Sequence, residues 1–160
     1  MLEQVLIQTK EKIKGVTYPS AQQQAELLKQ VFEARPWWSL EDVGYHEAHG
    51  TGTVAGDGEE LKALSQVYTH PMVIGSVKSN MGHAEGASGL MGLIKILLMM
   101  EDKKLYPNWK FQSSPHLCIN DGTFSVLEKS RKWEPTLCSI SSFGFGGSNV
   151  FAILIPSSCR

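Results

Sequence analysis

Val43-Gly44-Tyr45-His46-Glu47-Ala48-His49-Gly50-Thr51-Gly52-Thr53 reads as a strand running straight into a glycine-rich loop. The β-prone residues come first and the turn-forming glycines follow, which is the order of a strand that ends at a loop. Helical patterns lie on both sides. Upstream, Ser20 with Gln23 makes a capping-box pattern, and Leu27, Leu28, Val31 and Phe32 recur at helical spacing as far as Pro36. Downstream, Asp57 with Glu60 repeats that pattern and predicts a helix with Leu61, Leu64 and Tyr68 on one face.

Pro71 then opens a second strand, Met72-Val73-Ile74-Gly75-Ser76-Val77, followed by the polar loop Lys78-Ser79-Asn80-Met81-Gly82-His83. A third helix is predicted over residues 85–101. It is apolar on nearly all sides toward its C-terminal end, so tertiary structure should bury it, with Leu90, Leu93, Ile94, Leu97 and Leu98 as core. Gly86, Ala87, Ser88 and Gly89 lower helix propensity at its start and predict close packing there. Residues 105–120 read as loop, broken by Pro107 and Pro115. Cys138-Ser139-Ile140-Ser141-Ser142 and Val150-Phe151-Ala152-Ile153-Leu154 form a hairpin around Phe143-Gly144-Phe145-Gly146-Gly147-Ser148-Asn149, a tip longer than turning requires. A β-α-β-α order closed by a hairpin argues an α/β fold with a mixed sheet.

Composition narrows the function. With 160 residues, 42% hydrophobic and 19% charged, the chain is long enough for one core-forming unit. Its formal net charge of -1 lacks the footprint of a nucleic-acid binder. The apolar stretch over residues 90–100 is too short to span a membrane, and the N-terminus has no signal-peptide pattern. Cys118, Cys138 and Cys159 form neither a disulfide framework nor a zinc site, which fits a reducing cytoplasmic setting.

Three segments concentrate the glycines and polar groups, and each follows a strand or turns a hairpin, where sites form in α/β sheets. In order and spacing, Glu47-Ala48-His49-Gly50-Thr51-Gly52-Thr53, Gly75-Ser76-Val77-Lys78-Ser79-Asn80-Met81-Gly82-His83 and Ser142-Phe143-Gly144-Phe145-Gly146-Gly147-Ser148-Asn149 resemble the active-site segments of the C-terminal half of a β-ketoacyl synthase. The resemblance covers residues 18–155; residues 1–17 fit less well and 156–160 form a tail. It is greatest to animal fatty acid synthase, with polyketide synthase as the alternative.

The resemblance implies a thiolase-like fold, and an enzyme that decarboxylates a malonyl thioester and joins it to a cysteine-bound acyl group. Decarboxylation leaves an enolate oxygen that needs donors already in place. The resemblance gives that task to His49 and His83, and makes Lys78 the charge that orients them and opposes their protonation. It makes Phe145 the acyl gate and, through its backbone N–H, an oxyanion donor. Thr51 and Thr53 would bind the phosphopantetheine arm, while Gly144, Gly146, Gly147 and Asn149 would support the Phe145 loop. The resemblance implies no tightly bound cofactor and no metal, with the substrates carried on the phosphopantetheine of an acyl carrier protein. The remaining implied partners are an N-terminal half bearing the nucleophilic cysteine and, in the intact enzyme, a second copy in a homodimer.

Each residue also has a plainer reading. His49 alone is a structural or exposed histidine, His83 a helix cap, Lys78 a solvated lysine and Phe145 a core residue. Thr51 and Thr53 can merely satisfy turn backbone. His46 and His49 point to opposite sides of an extended segment, which argues against a shared metal. His70 and His116 read as solvated loop residues. Gly50-Thr51-Gly52-Thr53-Val54-Ala55 also fits G-x-G-x-x-A, a dinucleotide-binding outline, but lacks the acid expected about twenty residues on. A non-catalytic remnant is the third reading, since no segment here resembles the one holding the family's nucleophile; the chain alone is expected to be inactive. Phe151 stands where the family usually has histidine.

Overall fold

A computed structural model describes the backbone of residues 2–9 and, in full, residues 19–34, 36–144 and 147–156. The strands are β1 (Leu2–Thr9), β2 (Val43–Glu47), β3 (Met72–Gly75), β4 (Lys104–Leu105), β5 (Phe124–Ser125), β6 (Arg131–Lys132), β7 (Leu137–Phe143) and β8 (Ser148–Leu154). Six of them build one sheet in the order β1-β8-β7-β2-β3-β5, while β4 and β6 make a separate antiparallel pair. In the main sheet β7, β2, β3 and β5 are parallel, and β8 is antiparallel to β7 and β1. The mixed sheet expected from the sequence is therefore present, with β1 added at its edge.

Helices α1 (Ala21–Glu33) and α2 (Val54–Ser65) cover one face, and α4 (Ser88–Asp102) covers the other. Two short helices, α3 (Lys78–Met81) and α5 (Leu117–Asn120), lie in segments that read as loop in the sequence. Strand pleating divides β2 between the two layers. Tyr45 packs with Ile96 and Met99 of α4, whereas Ala48, just past the strand, packs on the α1 and α2 side. Val43 also belongs to the α1 and α2 side, although two residues apart should share a face. A β-bulge between Val43 and Tyr45 against β7 accounts for the switch.

Both capping boxes are corrected. Ser20 precedes α1 but its side chain makes no cap bond; Glu59 of α2 instead accepts the Ala21 N–H at 2.8 Å. Helix α2 starts at Val54, earlier than Asp57 suggested, because Thr53 caps it by accepting the Gly56 N–H at 3.1 Å. Asp57 and Glu60 are thus free to turn back toward the preceding loop.

Helix α4 overturns most of the sequence reading of its faces, although Leu93 packs against the core as expected. Ser88, Gly92, Lys95, Ile96 and Met99 are buried against the sheet. Leu90, Ile94, Leu97 and Leu98, expected in the core, are 55%, 41%, 45% and 48% exposed. Periodicity shows that a stripe is apolar, but not what covers it. Gly89 does meet a close neighbour, the Ser142 side chain, while Gly86 has nothing near.

Fully burying such a side chain is worth about 1.5–3 kcal/mol, so this stripe forgoes much of its contribution until something covers it. We expect a dye that fluoresces on apolar surface to bind the isolated chain. The triple variant Leu90→Lys, Ile94→Lys, Leu97→Lys should lose most of that signal. An isolated wild-type chain that leaves the dye dark would contradict this.

Candidate active site

The loops after β2 and β3 and the β7–β8 hairpin meet at the carboxyl ends of the parallel strands, the place where α/β sheets hold ligands. The first two loops approach very closely. Gly50 has φ +43°, and a Cβ there would lie 2.8 Å from the Ser76 Cβ, so glycine answers both the backbone and the space. Ser76 Oγ also donates to the Gly50 carbonyl at 3.3 Å.

This junction brings His49 and His83 together, with ring centroids 5.4 Å apart and planes at 86°. Phe143, unassigned in the sequence reading, sets its ring edge-on to His49 at 5.5 Å. His83 Nδ1 accepts the Glu85 N–H at 2.9 Å, so the neutral ring carries its proton on Nε2. His49 Nδ1 is buried without a hydrogen-bond partner among the described residues.

Burial pushes the His49 pKa down to about 4; Glu60 opposes that shift, while Lys78 and His83 reinforce it. His49 is therefore neutral at pH 7. The sign expected from the Lys78 charge is present, but burial is the larger cause. Lys78 itself is lowered by its own burial, against the pull of Glu60, Glu47 and Asp57. Because the folded His49 resists protonation, the unfolded chain binds the extra proton as pH falls from about 6.5 to about 4. Stability from this group should decline across that window. An NMR titration should show the His49 ring titrating near the lower limit, and a midpoint near 6.5 would contradict its burial.

Two carboxylates hold the loops from opposite faces of the sheet. On the α2 side, buried Glu60 accepts the His49 N–H at 2.8 Å, the Gly50 N–H at 2.9 Å and the Ser141 hydroxyl. Burial acts to raise its pKa, yet His46, the Gly50 N–H and Ser141 outweigh it and hold the carboxyl ionised. On the α4 side, Glu47 Oε1 accepts the Val77 N–H at 2.6 Å, next to Lys78. Its Oε2 receives the Tyr45 hydroxyl and, at 2.8 Å, the Lys95 ammonium, which also donates to the Tyr45 oxygen at 2.8 Å. A single lysine breaking an apolar run thus points inward, because a buried carboxylate awaits it.

The remaining residues take varied places. Thr51 and Thr53 hydrogen-bond each other at 3.1 Å, and the Thr53 oxygen also caps α2. Gly144 donates to the Ser148 carbonyl at 2.7 Å, Gly147 has φ +92°, and Asn149 is buried opposite Phe143 in the hairpin. Phe145 and Gly146 lie outside the described residues. His70, read as solvated, has its Nε2 2.8 Å from the Val43 carbonyl. The dinucleotide outline fails on physical grounds. The Gly50 and Gly52 amides that a pyrophosphate would need already face the Glu60 and Asp57 carboxylates.

The model of the β-ketoacyl synthase C-terminal domain matches residues 2–112. The highly reducing polyketide synthase tstA of Talaromyces stipitatus is 41% identical over 153 residues, covering 89% of this chain and 6% of that protein. The hybrid PKS-NRPS synthetase pytA of Aspergillus terreus is 39% identical over 151 residues, covering 88% and 22%. Ketosynthase twelve of the bacillaene polyketide synthase of Bacillus amyloliquefaciens superposes with a TM-score of 0.89 at 32% identity, over 97% of this chain and 30% of that one. The module 6 ketosynthase of the Bacillus subtilis 168 bacillaene synthase gives 0.88 at 35% identity, over 95% and 29%. These relatives are polyketide synthases, whereas the motifs alone suggested an animal fatty acid synthase.

Proposed function

This chain belongs to the β-ketoacyl synthase C-terminal domain family, and from that premise we propose that it supplies one half of a polyketide synthase condensing site. The observation that carries the proposal is the edge-on pair of His49 and His83 at the carboxyl ends of the parallel strands. Its substrates are malonyl and acyl thioesters carried on the phosphopantetheine of an acyl carrier protein. When the malonyl carboxylate leaves as carbon dioxide, the bonding pair passes into the thioester as an enolate. Nε2–H of His83 and a ring nitrogen of His49 donate to the enolate oxygen. The carbanion then attacks the acyl carbonyl and expels the cysteine thiolate of the other half.

Neutrality suits His49 to this task. A neutral imidazole donates a hydrogen bond without surrendering a proton that would quench the carbanion. The polyketide rather than fatty acid assignment rests on the likeness to the polyketide synthases described above. The chain spans only a small part of those proteins, and the complementary half also covers the open stripe of α4. Among the described residues, no helix is long and apolar enough to cross a membrane.

The test joins this chain to a nucleophile-bearing half and follows release of labelled carbon dioxide from malonyl-carrier protein. Release that depends on His49 and His83 is expected. By itself the chain should not condense acyl groups. Cys138 is buried, which pushes its thiol well above the ordinary range, and Cys118 lies in α5, remote in sequence from the histidine loops. Labelling the lone chain with radioactive acyl-coenzyme A and mapping the cysteine peptides would decide this. Stoichiometric acylation at one cysteine, followed by condensation, would make the chain self-sufficient instead.

A further inference from the structure

A line of polar groups runs through the buried face of the sheet beneath the His49 loop, and includes a histidine that the reaction itself does not require. Tyr68, Ser139, His46, Ser141 and Glu60 are all buried. Polar atoms sealed this way cost free energy unless each has a partner. Here the partners form one directed chain. The Tyr68 hydroxyl donates to Ser139 Oγ at 2.9 Å, which leaves the Ser139 hydrogen for His46 Nδ1 at 2.7 Å. With Nδ1 accepting, the neutral imidazole keeps its proton on Nε2 and donates it to Ser141 Oγ at 3.2 Å. Ser141 Oγ also accepts the His49 N–H at 3.1 Å, so its oxygen is fully used and its own hydrogen goes to Glu60 Oε1. Glu60 then holds the His49 and Gly50 amides. Every hydrogen points toward that carboxylate, and a single tautomer of His46 satisfies the whole line.

We propose that His46 is a positioning residue of the condensing site: through Ser141 and Glu60 it fixes the backbone from which His49 reaches the substrate. The inference rests on the reading of His49 as an enolate donor. His46 also stacks on Phe151, with centroids 5.4 Å apart and planes at 21°. Stacking needs only a flat ring, whereas the hydrogen-bond line needs a donor at the Nε2 position and an acceptor at Nδ1. That difference makes the two roles separable.

The experiment compares His46→Gln, His46→Asn and His46→Phe in the ketosynthase assembled from this chain and its complementary half. A glutamine amide reaches the Nε2 position and can still donate to Ser141; an asparagine amide stops near Nδ1; phenylalanine keeps the stacked ring alone. Loss of one net hydrogen bond should lower the decarboxylation kcat about threefold to tenfold in the Asn and Phe variants, with KM nearly unchanged. The Gln variant should stay within about twofold of wild type, since its donor survives. Hydrogen exchange at the His49 and Gly50 amides should quicken in the Asn and Phe variants but not in the Gln variant.

Should the Phe variant not fold, Ser139→Ala tests the same line by removing one atom. Without its donor, Nδ1 can take the proton, Nε2 no longer donates to Ser141, and kcat should again fall. Wild-type rates in His46→Phe or Ser139→Ala would overturn the proposal, as would a Gln variant no better than the Asn variant. If the underlying reading of the site were wrong, His49→Ala itself would leave decarboxylation intact. That outcome is distinct from all of these.

Discussion

Replacing Lys95 by methionine is expected to destabilise the assembled domain by about 3–5 kcal/mol, although methionine nearly matches the lysine stem in length and suits a helix better than most residues. The loss comes from charge. Lys95 is buried and lies 2.8 Å from both the Glu47 carboxylate and the Tyr45 oxygen. Without it, an ionised carboxylate stays buried with only a phenol and one backbone amide for company. The double variant Glu47→Gln, Lys95→Met should recover much of the loss, because replacing both partners of a buried pair is often close to neutral. Urea denaturation of the two single variants and the double variant gives the cycle directly. A Lys95→Met cost below about 1 kcal/mol would mean that the ammonium is solvated rather than paired.

The second large effect belongs to the histidines. His49→Ala and His83→Ala should each reduce malonyl decarboxylation by about 10²–10³-fold, the measured scale for removing one donor to a developing oxyanion. Stability should change little, since the His49 loop is held through its backbone amide by Glu60 and Ser141 and not through its ring. From neutrality down to about pH 5 the wild-type rate should not fall through protonation of His49, because its folded pKa lies lower still, at about 4. Near-normal carbon dioxide release in both variants, measured on folded protein, would remove these residues from the mechanism.

Much of this arrangement was legible in the sequence, and the misses share a cause. The strand of Val43–Glu47 and the two strands of the β7–β8 hairpin were found, since β-prone runs bounded by glycine-rich turns are local signals. The hairpin tip is shorter than read, because Phe143, Ser148 and Asn149 extend the strands. The pairing of His49 with His83 was implied by the family resemblance, and the structure brings their rings together edge-on. Glu60 was missed as a loop anchor because a carboxylate one turn after Asp57 satisfies a capping pattern without reference to anything distant. A signal was available. Thr53 is the better cap, and starting the helix there places Asp57 and Glu60 one and two turns in, facing back toward the glycines. The burial of Lys95, a lone charge in an apolar run, escaped the sequence for the same reason, since only knowledge of Glu47 on a separate strand makes it favourable. The outward turn of Leu90, Ile94, Leu97 and Leu98 depends on which side of α4 meets the sheet, a tertiary choice that composition does not encode.

Gly92 lies against this ion pair: a Cβ there would come within 2.9 Å of Ile140 Cδ1 and 3.0 Å of Glu47 Cγ. The order in which these positions can change, by mutation or by redesign, is therefore restricted. A larger residue at 92 has room only after both Ile140 and Glu47 are shortened, and shortening Glu47 first strands the ammonium of Lys95 and releases the amide beside Lys78. Lys95 cannot go first either, for the reason its methionine variant would expose. Positions on β2, α4 and β7 thus behave as a single heritable character, open to exchange as a set and closed to stepwise drift.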